Sequence, residues 1–283
     1  MDLLFGGFEM SEYDEIIDKI KSQKFYIYGA GSYGIKFEKI ITKMGVKDNF
    51  MGYVVTKRKN NEDLSIKEIT EVEHTNLIII ASHYVNSKEM EQMLHKLNFK
   101  NYILAFPYMT ELYFGLPYKT GVAVNPKEIV KEYININYHV VLYLAIDSII
   151  KNTEIGKQLY IKMMMMYSKK ETALYKLEQL EKRVENYKSG KIENYNIQIS
   201  ENCKMIMDGS HRTMLAYYFD ISKVYADLYC VKKEDIEEYY HPSVHEDNCF
   251  YKLFSKDEIK LLENVKRNIM GSEYERIYMY FKM

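Results

Sequence analysis

The sequence predicts an α/β protein of two domains: a small parallel sheet with its helices, then an α+β domain carrying extra helices. Three observations lead there. Short apolar runs alternate with helix-length segments from Lys24 to Ala105, Pro and Gly crowd the stretch Phe106 to Pro126, and strand-like runs return around Asp208 after long helical periodicities. A chain of 283 residues, 47% of them hydrophobic, holds enough apolar material for two cores.

Ser11 to Ser22 reads as an acidic helix, and Lys24 to Tyr28 as a strand running straight into Gly29-Ala30-Gly31-Ser32-Tyr33-Gly34. This GxGxxG turn sits where a strand meets a helix, Ile35 to Met44. The first glycine permits the tight turn, the second lets a phosphate-bearing ligand approach the backbone, and the third lets helix pack on strand. A strand Phe50 to Val55 follows, then a helix near Ile66 to Val72, a strand Leu77 to Ala81, a helix Ser87 to Leu97 and a strand Tyr102 to Ala105. Alternation at these lengths makes a parallel sheet. After the second strand, where an acid would meet ribose hydroxyls, stand Thr56-Lys57-Arg58, cations suited to a 2′-phosphate or a sugar-nucleotide pyrophosphate. The segment Lys24 to Ala105 resembles the small Rossmann-like modules that accompany bacterial surface-glycan enzymes, including the amino-terminal part of sugar acyltransferases. The resemblance implies a nucleotide or sugar-nucleotide site at Gly29, Gly31 and Gly34. Strand–helix packing explains the same glycines, and both readings stay open.

The first domain is expected over residues 1–110, a linker over 111–126 and the second domain over 127–283. Lys127 to Tyr133 and Tyr138 to Lys151 look helical, as does Glu154 to Tyr187 with a break near Ser168. The run Met163-Met164-Met165-Met166 is expected to fill core, since a thioether metal site needs spaced sulfurs around one ion. Tyr195 to Ser200 and Cys203 to Met207 read as strands, Met214 to Phe219 as a helix and Lys223 to Val231 as a returning strand. The segment Ser255 to Tyr280 places Ile259, Leu261, Leu262, Val265 and Ile269 at helix-like spacing, a face for its own domain or for a second copy in a homodimer.

Between the strand ending at Met207 and the helix starting at Met214 stands Asp208-Gly209-Ser210-His211-Arg212-Thr213. A Gly turn opening a helix directs backbone N–H groups and the positive end of the helix dipole outward, which favours phosphate. The same turn carries a carboxylate able to hold Mg²⁺ or take a proton, an imidazole, and a guanidinium suited to bidentate phosphate contact. Turn formation and capping account for the Asp-Gly pair or the Ser, but not for the His-Arg that follows.

A strand, Asp-Gly-x-His-Arg and an apolar helix are similar to the signature turn of the ParB/sulfiredoxin superfamily, most closely its branch related to ATP/ADP-dependent free-serine kinases. The likeness spans Tyr175 to Val231. It implies that Gly209, Ser210, His211, Arg212 and Thr213 surround nucleotide phosphates of ATP or ADP, with CTP an alternative. It further implies that Asp208 is the catalytic acid or the Mg²⁺ ligand. Ser210 stands where a sulfiredoxin-type Cys would precede His-Arg, which argues against a thiol reductase. The kinases also use an upstream acid, for which Glu178, Glu181 and Glu185 are the nominees.

With 39 basic and 40 acidic side chains, no broad attraction to nucleic acid or to an anionic membrane is expected. Three scattered cysteines without a Cys-x-x-Cys pair suit a reducing cytoplasm better than a disulfide framework or a thiolate zinc site. No basic, then apolar, amino-terminal leader is evident, and Val140 to Ile146 is too short to span a bilayer. His241 and His245 flank Pro242, so they read as a loop, with a lid over the nucleotide as the alternative. Abundant Tyr, Lys, Asn and Ile suggest an AT-rich bacterial coding sequence. Three functions remain: a nucleotide-dependent phosphotransferase for a small hydroxylated acceptor (serine-like, sugar or polyol), a nucleotide-binding switch, and a sugar-nucleotide-modifying protein using the GxGxxG turn.

Overall fold

The apolar runs of the first half become a parallel sheet. Strands β1 (Phe25–Tyr28), β2 (Phe50–Val55), β3 (Lys67–Glu68), β4 (Leu77–Ile80) and β5 (Tyr102–Leu104) lie in the order β3-β2-β1-β4-β5, each neighbour pair parallel. This is a computed structural model, and it describes residues 10–58, 66–82, 84–133, 137–166, 168–202, 205–239 and 252–271. The chain divides into two units, Met1–Leu116 and Pro117–Met283.

In the first unit every residue of β1 and β4 is buried, as expected of central strands covered on both faces, which is why both read as unbroken apolar runs. The helices are α1 (Met10–Ser22), α2 (Ser32–Lys43), α3 (Tyr84–Lys96) and α4 (Met109–Phe114). Helix α2 buries Phe37, Ile40 and Ile41 completely, each worth about 1.5–3 kcal/mol of transfer free energy. The helix expected near Ile66 to Val72 is instead β3 followed by a 3₁₀ turn, Ile69–Glu71. A two-residue strand is too short to show a period, so the apolar Ile69 and Val72 mimicked a helix face.

The second unit holds a mixed sheet of β6 (Lys119–Val124), β7 (Ile197–Ser200), β8 (Met205–Asp208) and β9 (Val224–Tyr229), in the order β6-β9-β7-β8. Strands β7 and β9 run parallel, and the other neighbours antiparallel. Its helices are α5 (Pro126–Tyr133), α6 (Asn137–Lys151), α7 (Ile155–Met164), α8 (Lys170–Lys188), α9 (Ser210–Tyr218), α10 (Lys233–Tyr239) and α11 (Lys256–Met270). The stretch expected to be a linker is structured: it contains α4 and then β6, whose Gly121 amide donates to the Asp227 carboxylate at 3.0 Å in an irregular stretch of the β6–β9 ladder. Gly115 ends α4, Gly121 lies in the irregular stretch of β6 and Pro126 opens α5.

One apolar core joins α6, α7, α8, α9 and α11. Met163 and Met164 lie in it while Met165 is exposed, so the methionine run splits between packing and surface. Helix α11 begins with a Ser255/Glu258 capping box and sends Leu262, Ile269 and Met270 into this same core. A second apolar layer, Ile197, Ile199, Ile206, Ala226 and Leu228, covers one face of the sheet with Ile129 of α5. Among the described residues no helix is long and apolar enough to cross a membrane. His241, His245, Cys203 and Cys249 lie outside the described residues, and Cys230 is an exposed free thiol.

Candidate functional site

Strand β8 ends at Asp208, Gly209 turns the chain, and α9 begins at Ser210, four residues earlier than apolar periodicity indicated. The polar motif is therefore the first turn of the helix itself. Gly209 adopts φ 93°, and a Cβ there would meet Ile197 at 2.5 Å and the Arg212 guanidinium at 3.2 Å. The missing side chain thus lets the turn press on β7 while Arg212 lies across it. The amides of Ser210, His211 and Arg212 have no intrahelical acceptor because they open the helix, and no side-chain hydrogen bond from the N-cap residue Gly209 takes their place.

Asp208 and Arg212 converge. The guanidinium, 12% exposed, donates to the Asp208 carboxylate at 2.8 Å and to the Asn196 carbonyl at 3.0 Å, whereas the carboxylate is 67% exposed. His211 and the Tyr160 hydroxyl of α7 are hydrogen bonded at 2.9 Å, and Ser210 Oγ lies 3.1 Å from Nε2 of the buried His139 on α6. Tyr138 places its ring edge-on to both His139 and His211, with centroids 5.7 and 6.2 Å away.

Burial pushes the His211 imidazole down to a pKa of about 3, with further pressure from Arg183, Lys176, His139 and Arg212. His211 as a whole residue is partly exposed, so this shift is an upper bound on the effect of burial. At neutral pH the ring is an uncharged hydrogen-bonding group. Three cations, Lys176, Arg183 and Arg212, thus act electrostatically on His211 in the first turn of α9. Arg212 is matched by Asp208, and Arg183 by Glu193 at 3.0 Å. Lys176 has its ammonium pKa lowered by burial alone and makes no ion pair among the described residues. Tyr187 joins the same group: burial first and then Glu193 push its phenol up to about 12, opposed by Arg212 and Arg183.

The fold thus brings Asp208, Gly209, Ser210, His211 and Arg212 together, but not Thr213 as a ligand contact. Thr213 is fully buried and its hydroxyl donates to the Gly209 carbonyl at 3.1 Å, so it serves the helix interior. The nominated acids also fall elsewhere. Glu178, Glu181 and Glu185 pair with Lys182, Lys157 and Lys188, and all three line a hollow of about 540 Å³. At 100° per residue they occupy the face of α8 opposite Lys176 and Arg183. The acid that joins the site is Glu193. It and the helix-borne partners His139, Tyr160, Lys176 and Arg183 come from positions that no local spacing links to the motif. A second hollow, about 510 Å³ and lined by Tyr118, Glu201, Asn202 and Cys230, also lies away from the Asp208 turn.

Among the described residues no three His, Cys, Asp or Glu side chains cluster for a metal. One exposed carboxylate, Asp208, fits a Mg²⁺ ion held mostly by phosphate oxygens and water, which is that ion's usual mode, and not an all-protein cage.

In the first unit the three glycines of the GxGxxG turn separate by role. Gly29 has φ 111° with the Ala81 carbonyl 3.0 Å from an added Cβ, and Gly34 would drive a Cβ to within 1.9 Å of the Gly29 carbonyl oxygen. Both are required by the fold. Gly31 has an ordinary φ of −86° and nothing within 4 Å, so the structure itself does not demand glycine there. Arg58, offered as a phosphate partner, is engaged by Glu71 through contacts of 2.9 and 3.0 Å. Lys36, one helical turn into α2, is lowered to about 8 by burial and then by Lys39. Comparison with known proteins finds no match for this chain among protein-family models, curated proteins or solved structures.

Proposed function

We infer that the second unit binds the phosphates of a nucleotide at the first turn of α9 and transfers a phosphoryl group to a small hydroxylated acceptor: serine-like, sugar or polyol. The carrying observation is the half-buried Lys176, a cation with no acidic partner among the described residues, whose charge, with those of Arg183 and Arg212, is felt by His211 on the uncapped first turn of α9. A desolvated cation without a counter-ion is costly, and an incoming phosphate relieves that cost. The Asp-Gly-x-His-Arg resemblance supports the same reading and names ATP, ADP or CTP as guests.

Catalysis here is chiefly positioning and charge stabilisation. The open amides and Arg212 hold the phosphate oxygens as charge shifts from the transferred group to the leaving diphosphate. Neutral His211 contributes a hydrogen bond without adding charge. Asp208, released from Arg212 as the guanidinium turns to phosphate, takes the acceptor's proton or holds Mg²⁺, which when bound neutralises phosphate charge.

Thermal melts test this directly. At a hundred times its Kd, Mg·ATP should stabilise the protein by about 2.7 kcal/mol, because it binds the native state alone. Arg212→Lys, which loses the planar fork, should bind at least tenfold more weakly, roughly a 1.4 kcal/mol loss. Asp208→Asn keeps an acceptor for the 12%-exposed Arg212 but removes its counter-charge, so it should cost about 1 kcal/mol of stability at most, yet lose transfer about 100-fold or more. Absence of stabilisation by every nucleotide tried, with and without Mg²⁺, would remove the proposal.

The open surroundings of Gly31 favour a second reading, in which the GxGxxG turn admits a sugar nucleotide. Gly31→Val separates the two. Nucleotide stabilisation that survives Asp208→Asn and Arg212→Lys but is lost in Gly31→Val would move the site to the first unit.

A further inference from the structure

We propose that Ser210 is a covalent nucleophile and His139 its general base, so that the phosphoryl group rests on Ser210 before reaching the acceptor; this rests on the phosphate reading above. The pair is built by the tertiary fold. Ser210 opens α9, His139 lies 71 residues earlier on α6, and their Oγ and Nε2 atoms stand 3.1 Å apart. Nucleophile and base within about 2.6–3.2 Å is the arrangement that activates a serine hydroxyl, which is weakly nucleophilic alone.

The surroundings favour that role over simple capping. His139 is 3% exposed, and Tyr138 packs edge-on to its ring. The imidazole thus addresses the hydroxyl from the protein side, while Ser210 keeps partial exposure toward solvent. The unpaired amides of the same helix turn are donors for the oxygens of a phosphoryl group carried by Ser210.

In the first half-reaction Ser210 Oγ attacks the terminal phosphorus of a nucleoside triphosphate, and its proton passes to His139 Nε2. The Oγ–P bond forms as the bond from phosphorus to the bridging oxygen breaks, and the nucleoside diphosphate leaves with that electron pair. In the second, the acceptor's hydroxyl oxygen attacks the phosphorus and gives its proton to Asp208. The P–Oγ bond breaks, and His139 returns the first proton to Ser210. No oxidant or reductant enters.

An alkyl fluorophosphonate tests the nucleophile without any nucleotide, because Oγ–P formation expels fluoride with its bonding pair. Peptide mass mapping of the labelled wild-type chain should place one adduct on Ser210, and Ser210→Ala should abolish it. His139→Gln should slow labelling about 100-fold. Should that variant fold poorly, a normal solvent deuterium isotope effect on wild-type labelling reports the same proton transfer. An unlabelled Ser210, labelling of His139→Gln at the wild-type rate, or no isotope effect would overturn the proposal. Ser210 labelling in a protein that no nucleotide stabilises would refute the nucleotide reading and leave the nucleophile standing, whereas nucleotide stabilisation with Ser210 unlabelled would do the reverse.

Discussion

Replacing Gly34 with valine is expected to unfold the first unit. An added Cβ would stand 1.9 Å from the Gly29 carbonyl oxygen, 3.0 Å from its carbon and 3.2 Å from the Tyr53 ring. Gly29 is itself pinned: its amide donates to the Val54 carbonyl at 2.9 Å, and its positive φ leaves little freedom to retreat. Relief therefore requires α2 to move off the sheet, and with it Phe37, Ile40 and Ile41, all fully buried. Overpacking against a backbone that cannot yield costs at least about 3 kcal/mol, a large share of the roughly 5–15 kcal/mol by which domains are stable. Urea unfolding followed by limited proteolysis reads the effect. Gly31→Ala is the matched control and should shift stability by less than about 0.5 kcal/mol, having no neighbour to strike. A Gly34→Val protein with the wild-type midpoint would show that the turn is far looser than its geometry states.

The second large effect is a loss of stability in acid traced to His211. The unfolded chain protonates this imidazole near the ordinary value of 6.5, while the folded chain resists until about 3, first through burial and then through Arg183, Lys176, His139 and Arg212. Between those values the unfolded state binds more protons, so stability is complete above about pH 6.5 and falls as pH drops toward 3. The slope approaches about 1.4 kcal/mol per pH unit, and the accumulated loss is on the order of 2–4 kcal/mol once discounted for the partial exposure of the residue. Urea midpoints measured from pH 8 to pH 4 should decline less steeply in His211→Gln. Equal slopes would assign the acid lability to other groups. If the proposed phosphate binds at this turn, saturating nucleotide should also flatten the wild-type slope, because its charge opposes that of Lys176, Arg183 and Arg212 at His211.

The parts of the fold visible in the sequence are those whose signal is local. The GxGxxG turn followed an apolar run, the break near Ser168 separated two helical periodicities, and β4 announced itself as Leu77-Ile78-Ile79-Ile80. Elements defined by distant partners were hidden. Strand β6 lies in a Pro- and Gly-rich stretch and becomes a strand by pairing with β9, about a hundred residues later. The start of α9 was missed because its first four residues are polar or small, and helix periodicity is read from apolar positions. Site chemistry divides the same way. Asp208 and Arg212 are one helical turn apart and were legible together, whereas Ser210 acquires its imidazole from 71 residues upstream and His211 its phenol from 51. The acids of α8 were plausible by sequence proximity, but helical phase turned them outward.

A truncation meant to isolate the second unit has a preferred starting point. Beginning at residue 127 would discard the outermost ribbon of its sheet and leave the backbone donors and acceptors of β9 bare along one margin. Such a margin recruits other chains and invites precipitation. A fragment retaining residues 117–126 keeps that margin occupied and should remain monodisperse where the shorter one does not.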